Sequence, residues 1–223
     1  MSYVSDVQPG QAPSRLDLPG LTMWKLSVSD MHNNVYLLKD AATGEALLVD
    51  AADDAAAIRE LLAEAQVEDE ALVGVVTTHK HWDHHRALPE IAPLARETMA
   101  GELDGPELPV EPSRTLADGD TVTLGEQTLT AHHVPGHTPG SVVLSWSPED
   151  GSTPHVWTGD TLFPGGVGAT NHSDEQSFDE LFASVRDRIF GRFDDAVVHP
   201  GHGDDTSLAT ERPHLDEWRE RGW

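Results

Sequence analysis

The chain has 223 residues, 38% of them hydrophobic and 24% charged, a composition that fills one core and predicts a single domain spanning 1–223. Its formal charge of −25, from 39 acidic against 14 basic residues, argues against nucleic acid and against an anionic membrane surface as partners. Cysteine is absent, which excludes disulfides and thiolate ligands. With no basic-then-apolar start and no apolar run of about 20 residues, the expected location is the cytoplasm.

In chain order, residues 1–20 are rich in Pro and Gly and read as an irregular lead-in. Leu21 to Val28, Asn34 to Leu38 and Ala46 to Val49 carry strand patterns, the last two joined by a Thr43-Gly44-Glu45 turn. Asp53 and Asp54 can cap a helix over about 55–65, with Ile58, Leu61, Leu62 and Ala65 on one face. Ala71 to Val76 is nearly all apolar, as in a strand buried on both sides. A short helix is expected over 85–91, and the Gly-, Pro- and Glu-rich stretch 97–112 reads as a surface connection. Strands follow at 121–124, 127–133, 141–146, 155–158 and 196–199, with an amphipathic helix over 178–190 and a closing helix over 208–221. Trp218 and Trp223 on that last segment suit either internal packing or a contact with a second copy, so the oligomeric state is not readable. Strands and helices recur in two similar halves, which favours an α/β architecture of two sheets packed face to face with helices outside.

The chemistry is concentrated where apolar strands end. Thr78-His79-Lys80-His81-Trp82-Asp83-His84 follows the 71–76 strand and packs three imidazoles and a carboxylate into six residues. Side chains two apart on an extended segment point the same way, so His79 and His81 can close on one cation, while Asp83 and His84 lie past a bend and can face a second. Gly136-His137-Thr138-Pro139-Gly140 is a rigid loop with His137 at its apex, and Thr158-Gly159-Asp160 places a carboxylate that can bridge two cations. Pro200-Gly201-His202-Gly203 presents His202. His79, His81 and His137 thus form one tripod and Asp83, His84 and His202 another, with Asp160 common to both. Each ion would keep a position for a shared water, the open arrangement of a catalytic site. The nitrogen and carboxylate donors suit two divalent ions, zinc first, with iron or manganese as alternatives. His85 and one of His132 and His133 are expected beside the ligands or in solvent, His199 as a neighbour, and Trp82 in packing. Asn33 and Tyr36 receive no role.

These motifs, in this order, resemble the metallo-β-lactamase-fold hydrolase superfamily. The likeness covers about 21–202 and implies a four-layer αββα sandwich with a dinuclear centre along one edge. The His79-Lys80-His81-Trp82-Asp83-His84 run together with Gly159-Asp160-Thr161-Leu162-Phe163 is similar to the glyoxalase II (hydroxyacylglutathione hydrolase) branch. That resemblance implies a thioesterase acting on acyl conjugates of a small thiol, in which Asp83 orients the attacking, metal-activated water. The family's glutathione-binding residues are basic and tyrosine side chains after the Gly-Asp-Thr-Leu-Phe motif. Here that loop reads Pro164 to Asn171 with neither type, and the short stretch after His202 leaves no room for the family's helical C-terminal domain. A different thiol, such as mycothiol or bacillithiol, is therefore expected, with Phe163 and Val167 lining the substrate pocket. Alternatives are a lactonase or other ester hydrolase, a persulfide dioxygenase with a single iron, and a non-catalytic metal-binding protein.

Overall fold

In a computed structural model of the chain, which describes residues 3–68 and 70–222, two sheets stack face to face. The first has seven strands in sequence order: β1 (Ser14–Leu18), β2 (Leu21–Val28), β3 (Asn33–Asp40), β4 (Ala46–Val49), β5 (Leu72–Thr77), β6 (Glu97–Gly101) and β7 (Arg114–Leu116). β1 to β4 form an antiparallel meander, and β4 to β7 run parallel. Helices α1 (Ala55–Glu64) and α2 (Leu88–Ile91) lie between the parallel strands in sequence. The second sheet holds β8 (Thr121–Leu124), β9 (Gln127–His133), β10 (Val142–Trp146) and β11 (His155–Gly159). A small hairpin, β12 (Leu162–Phe163) with β13 (Gly166–Val167), stands apart. Helix α3 (Phe178–Val185) leads on to β14 (Val197–Pro200) and β15 (Thr206–Ser207), then α4 (Leu208–Glu211) and α5 (Leu215–Arg221). The second sheet is ordered β15-β14-β11-β10-β9-β8.

Three apolar clusters define the layers. Leu48, Val75 and Leu37 pack with Ile58, Leu61 and Leu88 of α1 and α2 on the outer side of the first sheet. Leu38, Val76 and Met99 meet Leu129, Val142, Leu144 and Trp157 between the sheets. Val143, Val156 and Val198 pack with Leu181, Val185 and Trp218 beyond the second sheet. The result is the expected αββα sandwich. A β5 buried on both faces needs the unbroken apolar run that it has.

Several elements depart from the pattern read from sequence. The lead-in is not irregular throughout: Ser14–Leu18 alternates exposure and pairs along β2, from Ser14 opposite Lys25 to Leu18 opposite Leu21. The stretch 97–112 is a surface connection only in its second part, because Thr98 to Gly101 are buried in β6, a parallel strand against β5. Small and apolar residues there fit an interior that the neighbouring Pro and Gly obscure in sequence. The 85–91 helix begins only at Leu88, since a 3-10 turn over Trp82–His84 precedes it. The helix expected over 178–190 ends as α at Val185 and continues as a π turn to Phe190. Pro213 sits in a 3-10 segment that splits the closing helix into α4 and α5. Asp54 caps α1 as expected, accepting from Ala57 N–H at 3.0 Å. Trp218 is buried within the chain; Trp223 lies outside the described residues. No helix among the described residues is long and apolar enough to cross a membrane.

Candidate metal centre

Every candidate ligand lies on a loop at one edge of the sandwich, where β5, β9, β11 and β14 end. The loop after β5 enters a 3-10 turn at Trp82, which carries Asp83 and His84 to the site and sets the His84 ring 4.1 Å from that of His79. Asp160 follows Gly159, where φ is +49° and a Cβ would lie 2.6 Å from Thr78 Oγ1, so that glycine alone fits. At Gly201 a Cβ would collide with Asp160 Oδ1 and come within 2.7 Å of His84 Cε1. Glycine there is what lets the His202 loop close over the site.

The seven side chains form three overlapping groups, His79–His81–His137, His79–His84–Asp160 and Asp83–His84–His202, each with donor atoms within 4.8 Å of one another. Asp160 stands between the tripods: Oδ1 is 3.4 Å from His84 Nε2, and Oδ2 is 3.5 Å from His202 Nε2, 3.7 Å from His137 Nε2 and 4.0 Å from His79 Nε2. Asp83 Oδ2 lies 3.3 Å from His202 Nε2 and 3.5 Å from His84 Nε2.

The outward-facing nitrogens reveal which atoms face the centre. His137 Nδ1 donates to Ala169 O and His202 Nδ1 to Met31 O, both at 2.8 Å, so each Nε2 carries the lone pair turned inward. His84 Nδ1 is 3.0 Å from Asp50 Oδ2, which likewise directs Nε2 inward. His81 turns Nδ1 toward His137 Nε2 at 2.9 Å. His79 Nε2 is buried and makes no hydrogen bond. A buried imidazole nitrogen without a partner, amid converging lone pairs and two carboxylates, fits a pair of divalent cations and is costly otherwise.

Electrostatics tell the same story. Burial and the neighbouring His84 hold His79 well below the usual histidine range. Burial likewise lowers His137 to about 4, against the pull of Asp160. Burial opposes charge on His84, but Asp160 and Asp50 hold that imidazole well above the ordinary value. His202 is raised to about 9 because Asp160 and Asp83 outweigh its burial. Burial works against ionising Asp160 and Asp83 too, yet the surrounding imidazoles keep both carboxyls far below their ordinary range. The carboxylates of Asp160, Asp83 and Asp50 thus draw positive charge toward His84 and His202, the charge that cations would bring.

Three residues that matter here carried no role in the sequence reading. Asn33, at the start of β3, accepts from Ser29 Oγ at 2.6 Å and donates through Nδ2 to Asp83 O and Oδ2, both at 3.0 Å. Ser29 therefore fixes the amide so that its donor faces Asp83. Asp50, in the left-handed region at φ 58°, accepts from Thr78 N–H and Oγ1 as well as orienting His84. In sequence the only mark was an acidic residue at the end of an apolar strand; its uncommon backbone state shows only in the structure. Asp104 is fully buried and takes Lys80 N–H, Thr138 Oγ1 and Gly140 N–H, joining the two loops of the first tripod.

The remaining histidines stand apart from the centre. His132 is buried between Ser145 Oγ at 2.8 Å and Arg192 at 2.8 Å, and His133 bonds Pro139 O, so neither sits beside a ligand as expected. His85 bonds Lys80 O at 2.9 Å, closing the turn of the metal loop. His199 stacks on His155 and bonds Asp205 Oδ2 at 2.8 Å. Trp82, expected in packing, is 56% exposed and stacks against the Arg86 guanidinium at 4.1 Å. Tyr36 donates to Pro200 O.

Beneath the His202 loop, Lys25 is fully buried and donates to Gly203 O at 2.7 Å and Asp205 Oδ1 at 2.6 Å. Removing one partner of a buried ion pair strands the other. Lys25→Met should cost about 3–5 kcal/mol of stability, read as a lower urea midpoint at unchanged slope. A loss below about 1 kcal/mol would mean that water reaches the pair.

The chain belongs to the metallo-beta-lactamase superfamily, whose family model matches residues 28–202. Among curated relatives, it is 37% identical over 171 residues to the hydroxyacylglutathione hydrolase of Anaeromyxobacter dehalogenans, covering 76% of this chain and 61% of that one. The cytoplasmic hydroxyacylglutathione hydrolase of Arabidopsis thaliana is 34% identical, over 61% of this chain and 51% of its own. The chain thus spans well under two thirds of both enzymes. An uncharacterized protein of Mycobacterium leprae matches more fully, at 32% identity over 80% of this chain and 90% of its own. In structure, a B3 metallo-beta-lactamase superposes with a TM-score of 0.75 over 88% of this chain and 99% of that one; at 22% identity the likeness is one of fold. A chain crystallised in a di-iron-bound form gives 0.69 at 27% identity, over 84% of this chain and 96% of its own.

Proposed function

We propose that this protein is a dinuclear metal-dependent hydrolase that cleaves acyl thioesters of a small thiol. The observation that carries the reading is the pair of three-residue groups sharing the Asp160 carboxylate beside an open cavity. In this reading His79, His81 and His137 hold one ion, Asp83, His84 and His202 the other, and Asp160 reaches both. Zinc suits the nitrogen-rich donor set, and iron or manganese are the alternatives. Divalent ions there supply Lewis acidity, acidifying water and polarising a carbonyl. Asp83 orients the attacking water and accepts its proton, with Asn33 holding the carboxylate in place. A thiolate leaves without protonation, which suits a cavity whose acids are engaged with imidazoles. Phe163 and Val167 line that cavity and would contact the substrate. The lack of cysteine fits a protein of the reducing cytoplasm.

The test combines metal analysis with hydrolysis of S-lactoyl-glutathione, S-lactoyl-mycothiol and a panel of lactones. Two ions per chain with thioester turnover supports the reading. Turnover of lactones alone would move the assignment to a lactonase, and one iron per chain with oxygen uptake would overturn hydrolysis altogether.

A further inference from the structure

The cavity beside the centre encloses about 720 Å³, large enough for a drug-sized molecule. His81, Asp83, His137, Asp160 and His202 form its floor, and the β12–β13 hairpin, the loop that follows, Met31 and Trp82 form its walls. Met31 is 41% exposed, and it and Trp82 are two of only five large apolar side chains exposed among the described residues. On so acidic a chain, two of them beside one cavity mark a surface for apolar ligand.

Among the described lining residues there is no lysine or arginine. The nearby cations are engaged elsewhere. Lys80 pairs with Glu107 and, at 2.6 Å, with Glu175. Arg86 pairs with Asp53 at 3.0 Å beneath the Trp82 ring, and Arg221 bonds Gly165 O at 2.8 Å and Glu217 at 3.3 Å. A glutathione conjugate carries two carboxylates remote from its thioester. Away from the metal ions they would find no cationic partner, within the field of a chain of charge −25.

Apart from the candidate ligands, His172 is the one ionisable side chain lining the cavity among the described residues. Although exposed, it is held in register with the centre. Its backbone N–H donates to Gln176 Oε1 at 2.7 Å, and Gln176 Nε2 donates to the carbonyl of His137 at 3.1 Å. The adjacent Glu175 pairs with Lys80 inside the metal loop. Its single imidazole can hydrogen-bond an amide or hydroxyl, and one ring does not supply partners for a pair of carboxylates.

Building on the hydrolase reading above, we infer that the substrate is an uncharged acyl thioester. Its apolar arm lies against Met31, Trp82 and Phe163, and His172 hydrogen-bonds a neutral polar group remote from the reacting carbonyl. His172 is then a specificity-determining residue. Water adds to the acyl carbon, the carbon–sulfur bond breaks, and the products are the carboxylate, the thiol and one proton released to solvent, so the balance requires no co-reactant.

The experiment compares the metal-loaded protein on one acyl group carried by two thiols, S-butyryl-glutathione and S-butyryl-N-acetylcysteamine. The uncharged thioester should have the higher kcat/KM by about tenfold or more. His172→Ala should raise KM for it by about tenfold with kcat nearly unchanged, the loss of one hydrogen bond, and His172→Gln should recover most of that loss. His172→Arg should shift the preference toward the glutathione conjugate. A parent protein that prefers the glutathione conjugate overturns the inference and leaves the hydrolase reading standing, as does a His172→Ala variant with unchanged KM. No turnover of any ester with both ions bound sinks the hydrolase reading and this inference together.

Discussion

Replacing Asp160 with alanine should bring bound metal from two ions per chain to fewer than one and lower kcat/KM by at least about 10³, or about 4 kcal/mol. Its carboxylate lies within 4.0 Å of imidazoles from both tripods. Those imidazoles converge on a largely buried space in which the negative charge of Asp160 offsets whatever cations are present, protons or metal. Without it, two cations would face each other across neutral rings and the single carboxylate of Asp83. Mutual repulsion at that separation in a low-dielectric pocket then disfavours double occupancy. Asp160→Asn keeps the shape and one acceptor oxygen, which separates loss of charge from a failure to fold. Metal content by mass spectrometry, alongside the melting temperature of each apo-protein, reads the effect. Two tightly held ions in the alanine variant would remove Asp160 from its bridging place.

Asp83→Asn should act differently, lowering kcat by about 10²–10⁴ while most of the metal is retained. The amide keeps a ligand oxygen and can still face Asn33 Nδ2, which donates to Asp83 Oδ2 at 3.0 Å. It can no longer accept a proton. Reconstituted variant and parent, matched for ions per chain, should therefore differ in kcat far more than in KM. Asn33→Ala should show a smaller loss, about tenfold to a hundredfold, since the carboxylate stays but its orientation is released. Near-normal turnover by Asp83→Asn at full occupancy would end the assignment of Asp83 as the proton-accepting group.

Much of this centre was legible in one dimension because its chemistry is written in local runs. Four strand-ending loops, each with histidine or aspartate framed by Gly, Pro or Thr, announce side chains held rigidly at strand ends. The seven side chains that meet within the three groups are those the motifs singled out. The apolar periodicities likewise announced β2 to β5, α1 and the two-sheet sandwich, since burial on one or both faces leaves a local signature.

What the sequence could not convey depends on partners far along the chain. Asn33 and Asp83 are fifty positions apart, and Asp50 meets His84 across thirty-four; neither pair has a spacing that any local period would mark. Asp104 sits in a stretch whose Gly and Pro content mimics a surface loop, yet it is buried because three donors from two metal loops converge on it. Strand β6 was hidden for the same reason, being buried by its neighbours rather than by its own pattern. Composition and motif therefore marked the candidate residues, which the fold brings together. The tertiary structure alone decided how those side chains are oriented, which cations are engaged elsewhere, and that a largely apolar cavity with one further imidazole opens onto them. Ligand identity is a property of residues, whereas orientation, charge compensation and cavity shape are properties of contacts between segments that only folding brings together.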